Sequence, residues 1–270
     1  MNIFDRIRNK EMRDLVIEPK KAAKIIKNNM TIGFSGLTGA GYPKVIPKEL
    51  VERAKQGEKL QINLVTGASV GPEIDDEMSK VGIIKKRIPF QTSRELRKII
   101  NKRKTKYVEI QLEKLPNIIK KGWLGNIDIA VIEALAINEK GYIIPTTSVG
   151  ITPLLIEFAK EIIIEINVSQ PEELEGIHDI YLPKLENPEP IPLKKVNERI
   201  GKTFIKCDRN KIKYIVKSEK PDTPDNLKKN DLVSIKIAQN LFNFLELEIE
   251  NKRLTRELRP IQFGIGNVAN

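Results

Sequence analysis

The sequence predicts an α/β domain with an open, mostly parallel sheet and helices on both faces. Three observations lead there. Runs rich in Ile and Val, with few polar interruptions, recur along the chain, as strands covered on both faces require. Between them lie stretches with helical spacing and helix-start and helix-stop residues, so the order reads strand, turn, helix, repeatedly. Two of the strands run directly into glycine-rich turns, and ligands of open α/β sheets sit at such carboxyl ends.

Each element has its own justification. "EPKKAAKIIKNN" places Pro19 at a helix start, with Ala22, Ala23, Ile25 and Ile26 as the apolar positions. "MTIGFS" is a strand, followed by a glycine-rich turn and the helix "PKELVERAKQG", which a glycine closes. "LQINLVTG" is a second strand ending in a glycine turn. "PEIDDEMSKVG" and "SRELRKIINK" are predicted helices. "YVEIQL", "IDIAVIEAL", "YIIPTT" and "EIIIEINV" are predicted strands, with "TPLLIEFAK" a short helix between the last two. Residues 170–192 are rich in Pro and Glu and read as an extended surface excursion. "KTFIKCDRNKIKYIVKSE" gives two short strands. After the spacer "KPDTPDN" comes one long helix, in which Leu232, Ile235, Ala238, Phe242, Leu245 and Ile249 follow three-four spacing and predict one buried stripe. The expected division is an α/β domain over 1–222, a long connecting helix over 223–258, and a strand with a glycine turn over 259–270.

Composition narrows the function. With 270 residues, the chain can bury a core without staples, and a single cysteine, Cys207, excludes a disulfide framework and a cysteine-based zinc site. Cys207 reads as a small buried or half-buried thiol. The first residues lack the apolar core of a signal peptide, and no apolar run reaches the ~20 residues that span a bilayer. The expectation is a cytoplasmic protein with no membrane partner. The formal charge of +11 has two readings, a phosphate-rich partner or lysine as the default surface residue, and the second is favoured. Nucleic acid is not an expected partner: basic residues are not interleaved with aromatics, and "KIINKRKTK" reads as a solvated helix end and turn.

Four stretches could carry chemistry. "GFSGLTGAGYPK" (Gly33 to Lys44) offers open backbone amides leading into a helix, which reads equally as a loop able to hold a phosphate or carboxylate and as a structural turn. It is neither a Walker loop nor a dinucleotide fingerprint. "TGASVGPE" (Thr66 to Glu73) puts Ser69 between glycines after a strand. By letter "GASVG" matches a nucleophile elbow, but the single histidine, His178, lies in the proline-rich excursion with only its neighbour Asp179 beside it. Ser69 in a ligand-contacting turn is the better reading, and His178 reads as a hydrogen-bonded structural residue. "FGIGNVAN" ends an apolar run in glycines, so Asn267 and Val268 present N–H groups that could face an oxyanion. Of the glutamates in or beside apolar elements, Glu73 suits the first turn of a helix. Glu133 and Glu165 suit helix N-termini or partner lysines, since apolar surroundings weaken a carboxylate as nucleophile.

In order, "GFSGLTGAGYPKVIP", "LVTGASVGPEID", "RIPFQTSRELRKIIN", "GYIIPTTSVG", "EINVSQP", "EGIHDIY", "NERIG" and "FGIGNVAN" resemble the acetyl-CoA hydrolase/transferase family, which includes succinyl-CoA:acetate CoA-transferases and belongs to the class I CoA-transferases. The likeness runs from near the N-terminus to Asn270. It implies the N-terminal half of a two-half protein, so that 259–270 would open a C-terminal CoA-transferase domain. It further implies exchange of CoA between an acyl-CoA and a small carboxylate such as acetate, through a glutamyl-CoA thioester whose glutamate lies outside this chain. On the same basis Gly264, Ile265, Gly266, Asn267 and Val268 match the CoA-contacting segment, and the Val268 amide matches an oxyanion-hole donor. Ser69 matches a position near the acyl and carboxylate pocket. No tightly bound cofactor and no metal are expected; coenzyme A enters as substrate. The expected partner is a C-terminal CoA-transferase half or second subunit, in a homo- or hetero-oligomer. Two other readings stand beside this one: a non-catalytic acyl-CoA-binding or regulatory module, and a stand-alone hydrolase using Ser69. The half-protein reading predicts apolar surface left on the long helix and the terminal strand.

Overall fold

A computed structural model of the chain describes residues 2–184, 187, 189–223, 231–258, 261–264 and 266–269. The chain divides into two compact units, Met1–Thr223 and Pro224–Asn270. Strands in the first unit are β1 (Thr31–Phe34), β2 (Ile62–Val65), β3 (Ile84–Ile88), β4 (Lys106–Tyr107), β5 (Ile127–Ala134), β6 (Ala136–Ile137), β7 (Ile143–Ile144), β8 (Ala159–Asn167) and β9 (Ile212–Ser218). Its helices are α1 (Ile3–Arg6), α2 (Pro19–Ala22), α3 (Val45–Lys55), α4 (Met78–Lys80), α5 (Arg94–Asn101), α6 (Leu115–Lys120) and α7 (Thr152–Phe158); α8 (Leu232–Glu250) belongs to the second unit.

Seven strands form one sheet in the order β4-β3-β2-β1-β5-β8-β9, every neighbouring pair parallel. The chain builds outward from β1 to β4, then returns to the other side of β1 with β5. The switch point therefore lies between β1 and β5, where crevices open at the carboxyl ends of strands. Residues alternate between the faces with the period of two that a strand dictates. Ile129, Val131 and Ile163 join one core with Ile46, Leu50, Met78 and Leu96 from α3, α4 and α5. Ala130, Ile132, Ile162 and Ile164 join the other with Leu115, Ile119, Leu155 and Ile156 from α6 and α7. Both faces are covered, which is why the strands read as apolar runs rather than as alternating patterns.

Several expectations change in detail. "YIIPTT" does not enter the large sheet: β7 pairs antiparallel with β6. The connection Asn138–Tyr142 is a tight turn, with Asn138 accepting from the Lys140 and Tyr142 amides, and so short a link permits only antiparallel pairing. "YVEIQL" contributes only its first residue to β4. Of the two strands expected in 202–219, only β9 forms; the earlier segment makes isolated bridges, Lys202 to Ile180 and Ile205 to Ile143. Helix α2 tightens into a 3₁₀ turn at Ala23–Ile25, and Pro72–Glu77 winds as a π-helix before α4. The excursion after β8 is largely exposed, and is pinned where Asp179 accepts from the Ile200 and Gly201 amides.

In the second unit Asp231 caps α8, accepting from the Ser234 amide at 2.8 Å. Among the described residues the helix ends at Glu250, short of 258, and the stripe expected to be buried is not: Leu232 is 85% and Phe242 66% exposed. Among the described residues of the unit, Phe263 and residues 267–269 lie beside that side of the helix, around a cavity of about 420 Å³ lined by Ile235, Ala238, Phe242, Leu245, Phe263 and Val268. Val233, Ile237, Phe244 and Leu247 form a second exposed apolar face. Residues 261–264 form no strand, and Ile261 and Phe263 are exposed, so apolar surface does remain on the helix and the terminal segment. Among the described residues no helix is long and apolar enough to cross a membrane.

Candidate functional site

The two glycine turns meet at the carboxyl ends of β1 and β2. The loop after β1 takes left-handed conformations at Gly36, Thr38 and Gly41. Gly36 has φ +107°, and a Cβ there would lie 2.9 Å from Ser69 Oγ, so only glycine fits. Thr38 zips the loop to the second turn: its amide donates to the Ala68 carbonyl at 2.9 Å, and the Val70 amide donates to the Thr38 carbonyl at 3.0 Å. Loop 36–42 and turn 67–70 thus form one slab.

Ser69 lies in that slab, fully buried, and among the described residues its Oγ has no hydrogen-bond partner. Its carbonyl accepts from Arg87 at 2.9 Å. Arg87, on β3 and wholly buried, also donates to both Asp75 oxygens, to Thr66 Oγ1 and to the Ile88 carbonyl, so the planar fork fixes the turn from beneath. Burial pushes the Asp75 carboxyl up, against the pull of Arg87. His178 Nε2 lies 2.6 Å from the Thr146 carbonyl, a hydrogen-bonded structural position, and does not pair with Ser69. Cys207 is half-buried, and burial pushes its thiol up to about 12.

A charged cluster fills the switch point itself. Glu133 on β5 and Glu165 on β8 are register partners, and both are buried. Glu165 accepts from the amides of Lys44, Val45 and Ile46 at 2.6–3.1 Å, capping the N-terminus of α3. Burial raises its carboxyl above the usual range, against the pull of those three amides. Glu133 accepts from Lys44 Nζ at 2.6 Å, Thr146 Oγ1 at 3.0 Å and Asn167 Nδ2 at 3.1 Å. Burial pushes it up to about 7, with Lys44 holding it back. Lys44 also reaches Asp222 Oδ1 at 2.9 Å and the Tyr42 carbonyl at 2.9 Å. Burial lowers the Lys44 ammonium, and its two carboxylates more than reverse that, so it stays charged. Glu73 sits in the first turn of the π-helix and accepts from Tyr42 Oη at 2.7 Å. Glu133 and Glu165 therefore do face a lysine and a helix N-terminus. Lys44 and Asp222 escaped the sequence reading; the only signal for such a partner was a carboxylate inside an apolar strand, which demands buried donors.

The segment 264–268 belongs to the second unit. Ile265 lies outside the described residues. Gly264 and Gly266 are exposed, Ala269 N–H closes a turn onto the Gly266 carbonyl, Asn267 Nδ2 donates to Asp231 at 3.1 Å, and Val268 lines the cavity against α8. Among the described residues no group of His, Cys, Asp and Glu side chains could hold a metal ion.

A parallel sheet covered on both faces, with zipped glycine turns at the carboxyl ends of β1 and β2, defines an open α/β domain. The chain belongs to the acetyl-CoA hydrolase/transferase family, whose N-terminal domain matches residues 1–224. It is 42% identical over 269 residues to succinyl-CoA:acetate CoA-transferase of Clostridium kluyveri, covering 98% of this chain and 50% of that protein. It is 37% identical to acetyl-CoA hydrolase of Schizosaccharomyces pombe, covering 99% of this chain and 53% of the relative. Against propanoyl-CoA:succinate CoA transferase of Escherichia coli the identity is 33%, covering 93% and 52%. The chain spans about half the length of these relatives. RipA from Yersinia pestis shares the fold, with a TM-score of 0.59 at 15% identity over 88% of this chain and 50% of that one.

Proposed function

We propose that this chain supplies one wall of an acyl-CoA:carboxylate CoA-transferase site, active with a second half that carries the nucleophilic glutamate. The CoA-transferases and acetyl-CoA hydrolases among its relatives support the reaction class. The observation that carries the division of labour is the commitment of this chain's own site carboxylates. Glu165 is spent on three backbone amides, Glu133 on Lys44, Thr146 and Asn167, and Glu73 on Tyr42. None of them is poised to attack a carbonyl.

In the proposed reaction the external glutamate attacks the acyl-CoA thioester carbonyl. A tetrahedral oxyanion forms and collapses, expelling the CoA thiolate and leaving a mixed anhydride. The thiolate then attacks the glutamyl carbonyl, releases the first carboxylate and leaves CoA on the enzyme as a thioester. An incoming carboxylate such as acetate reverses the sequence. Covalent transfer divides one hard step into easier ones. The Val268 amide would donate to the oxyanion; one such donor is worth about 3–4 kcal/mol. Gly264, Ile265, Gly266, Asn267 and Val268 would contact CoA, whose remote binding energy orients the reacting end. Ser69, whose buried hydroxyl has no partner among the described residues, would lie near the acyl and carboxylate pocket.

The test mixes acetyl-CoA and labelled acetate with this chain, with a polypeptide covering the other half of the relatives, and with both. Exchange only with both supports the proposal. Exchange at an enzymatic rate by this chain alone overturns it. Calorimetric binding of CoA by this chain, with no exchange from the mixture, would point instead to an acyl-CoA-binding module.

A further inference from the structure

We propose that Asp222 is a positioning residue: it clamps the strap that leaves β9 onto the glycine loop and so holds the wall that contains Ser69. The kinetic part of this inference rests on the proposed function; the structural part does not. After β9 the chain crosses the carboxyl ends of the strands as Glu219–Thr223. Asn167 Nδ2 donates to the Lys220 carbonyl at 2.7 Å, and the Thr223 amide donates to the Gly39 carbonyl at 3.1 Å. Tyr42 Oη and Thr223 Oγ1 are 2.9 Å apart. A Cβ on Gly39 would stand 2.3 Å from the Thr223 carbonyl oxygen, so the strap lies directly on the loop.

Asp222 is the hub of this contact. Its Oδ1 accepts from the Gly41 amide at 3.0 Å and from Lys44 Nζ at 2.9 Å. Its Oδ2 accepts from Gln170 Nε2 at 3.0 Å and from the Thr147 hydroxyl. Both oxygens are thereby doubly engaged, and four donors converge from three separate loops: the glycine loop, the segment after β7 and the segment after β8. An ionised carboxylate, which only accepts, is the one side chain of this size that satisfies all four. Burial pushes the Asp222 carboxyl up, but the Thr147 hydroxyl, the Lys44 ammonium and the Gly41 amide together hold it below its ordinary range, so it remains ionised. From Gly41 the constraint passes along the loop to Thr38, whose two backbone hydrogen bonds grip Ala68 and Val70 on either side of Ser69. A shift at Gly41 therefore moves the Ser69 wall.

The test uses Asp222→Asn, which keeps the shape but turns an amide N–H₂ toward donors, and Asp222→Ala. Amide hydrogen exchange on the whole chain is the first readout. The expected result in Asp222→Asn is exchange about tenfold faster or more at residues 36–41 and 68–70, with β5 and β8 unchanged. Unchanged exchange in the loops, or an equal rise throughout the sheet, overturns the inference. Steady-state kinetics in the presence of the complementary half is the second readout. Positioning predicts that kcat/KM for acetate falls about tenfold or more while KM for acetyl-CoA stays within about twofold. A loosened loop with unchanged kinetics would leave Asp222 a structural clamp and refute the positioning role. Absence of activity in the wild-type mixture would count against the proposed function, while hydrogen exchange would still decide the clamp.

Discussion

Replacing Glu165 tests whether the switch point is held by its carboxylate. The side chain is fully buried, and its two oxygens receive the amides of Lys44, Val45 and Ile46, the first donors of α3. In Glu165→Ala these three N–H groups lose their acceptor in a buried site. Losing an ordinary cap costs about 0.5–2 kcal/mol, and a buried donor left unsatisfied costs about 1–3 kcal/mol. Truncation also leaves a void in a packed interior. Against these stands the relief of a buried carboxylate's desolvation, which returns part of the loss. The net expectation is about 4 kcal/mol for Glu165→Ala. Glu165→Gln keeps the volume and one good acceptor but turns an N–H₂ toward an amide donor, and should cost about 2 kcal/mol. Urea unfolding followed by circular dichroism gives both values from midpoints at constant slope. A loss below about 1 kcal/mol for the alanine variant, or a glutamine variant more stable than the parent, would refute the capping argument.

Glu133 gives a prediction in pH. Its carboxyl is pushed from an ordinary value of 4.5 to about 7, first by burial and against Lys44, so the folded state binds this proton more tightly than the unfolded state. Its stability contribution is complete below pH 4.5 and is lost as pH rises through about 7, amounting to up to about 3 kcal/mol. The difference in unfolding free energy between the parent and Glu133→Gln should follow that slope, and parallel curves from pH 4.5 to 7.5 would contradict it. Gly39→Ala should displace the strap, because the new methyl meets the Thr223 carbonyl oxygen at 2.3 Å. The expected cost is about 1–3 kcal/mol by urea unfolding, and a neutral effect would show that the strap does not lie on the loop. Val233→Lys with Phe244→Lys, at positions 69% and 54% exposed, should change unfolding free energy by no more than about 0.5 kcal/mol while lowering dye binding and self-association. Unchanged association in sedimentation would show that this face is not the adhesive one.

The parts of the fold that could be read from sequence are those in which burial is local. β1, β2, β5 and β8 are apolar runs bounded by turn residues, and α5 and α7 carry a cap or start residue of their own, Ser93 and Pro153, whereas the cap of α3 comes from Glu165 far along the chain. β3 was missed because Lys85, Lys86 and Arg87 interrupt its apolar pattern; Arg87 is nonetheless fully buried, through a partner twelve positions away at Asp75. The stripe on α8 was read correctly as apolar but wrongly as buried, since spacing records which side is greasy and not whether anything covers it. At the site, the glycine turns and the two strand glutamates were visible because each breaks its local pattern. Lys44 and Asp222 were not, because 178 positions separate them and each looks like an ordinary surface charge. Only chain topology brings β1 and the end of β9 to the same edge.

Lys44 serves two acids through two different parts of itself. Its ammonium answers Glu133, while its backbone N–H answers Glu165 on the neighbouring strand. The two dependencies differ in kind. Any residue with a main-chain hydrogen can serve position 165, whereas position 133 needs a cation. Sequences that drift at position 44 should therefore surrender the acid at 133 in the same step and retain the one at 165, a lopsided pattern of co-variation that a set of homologues would reveal without any experiment.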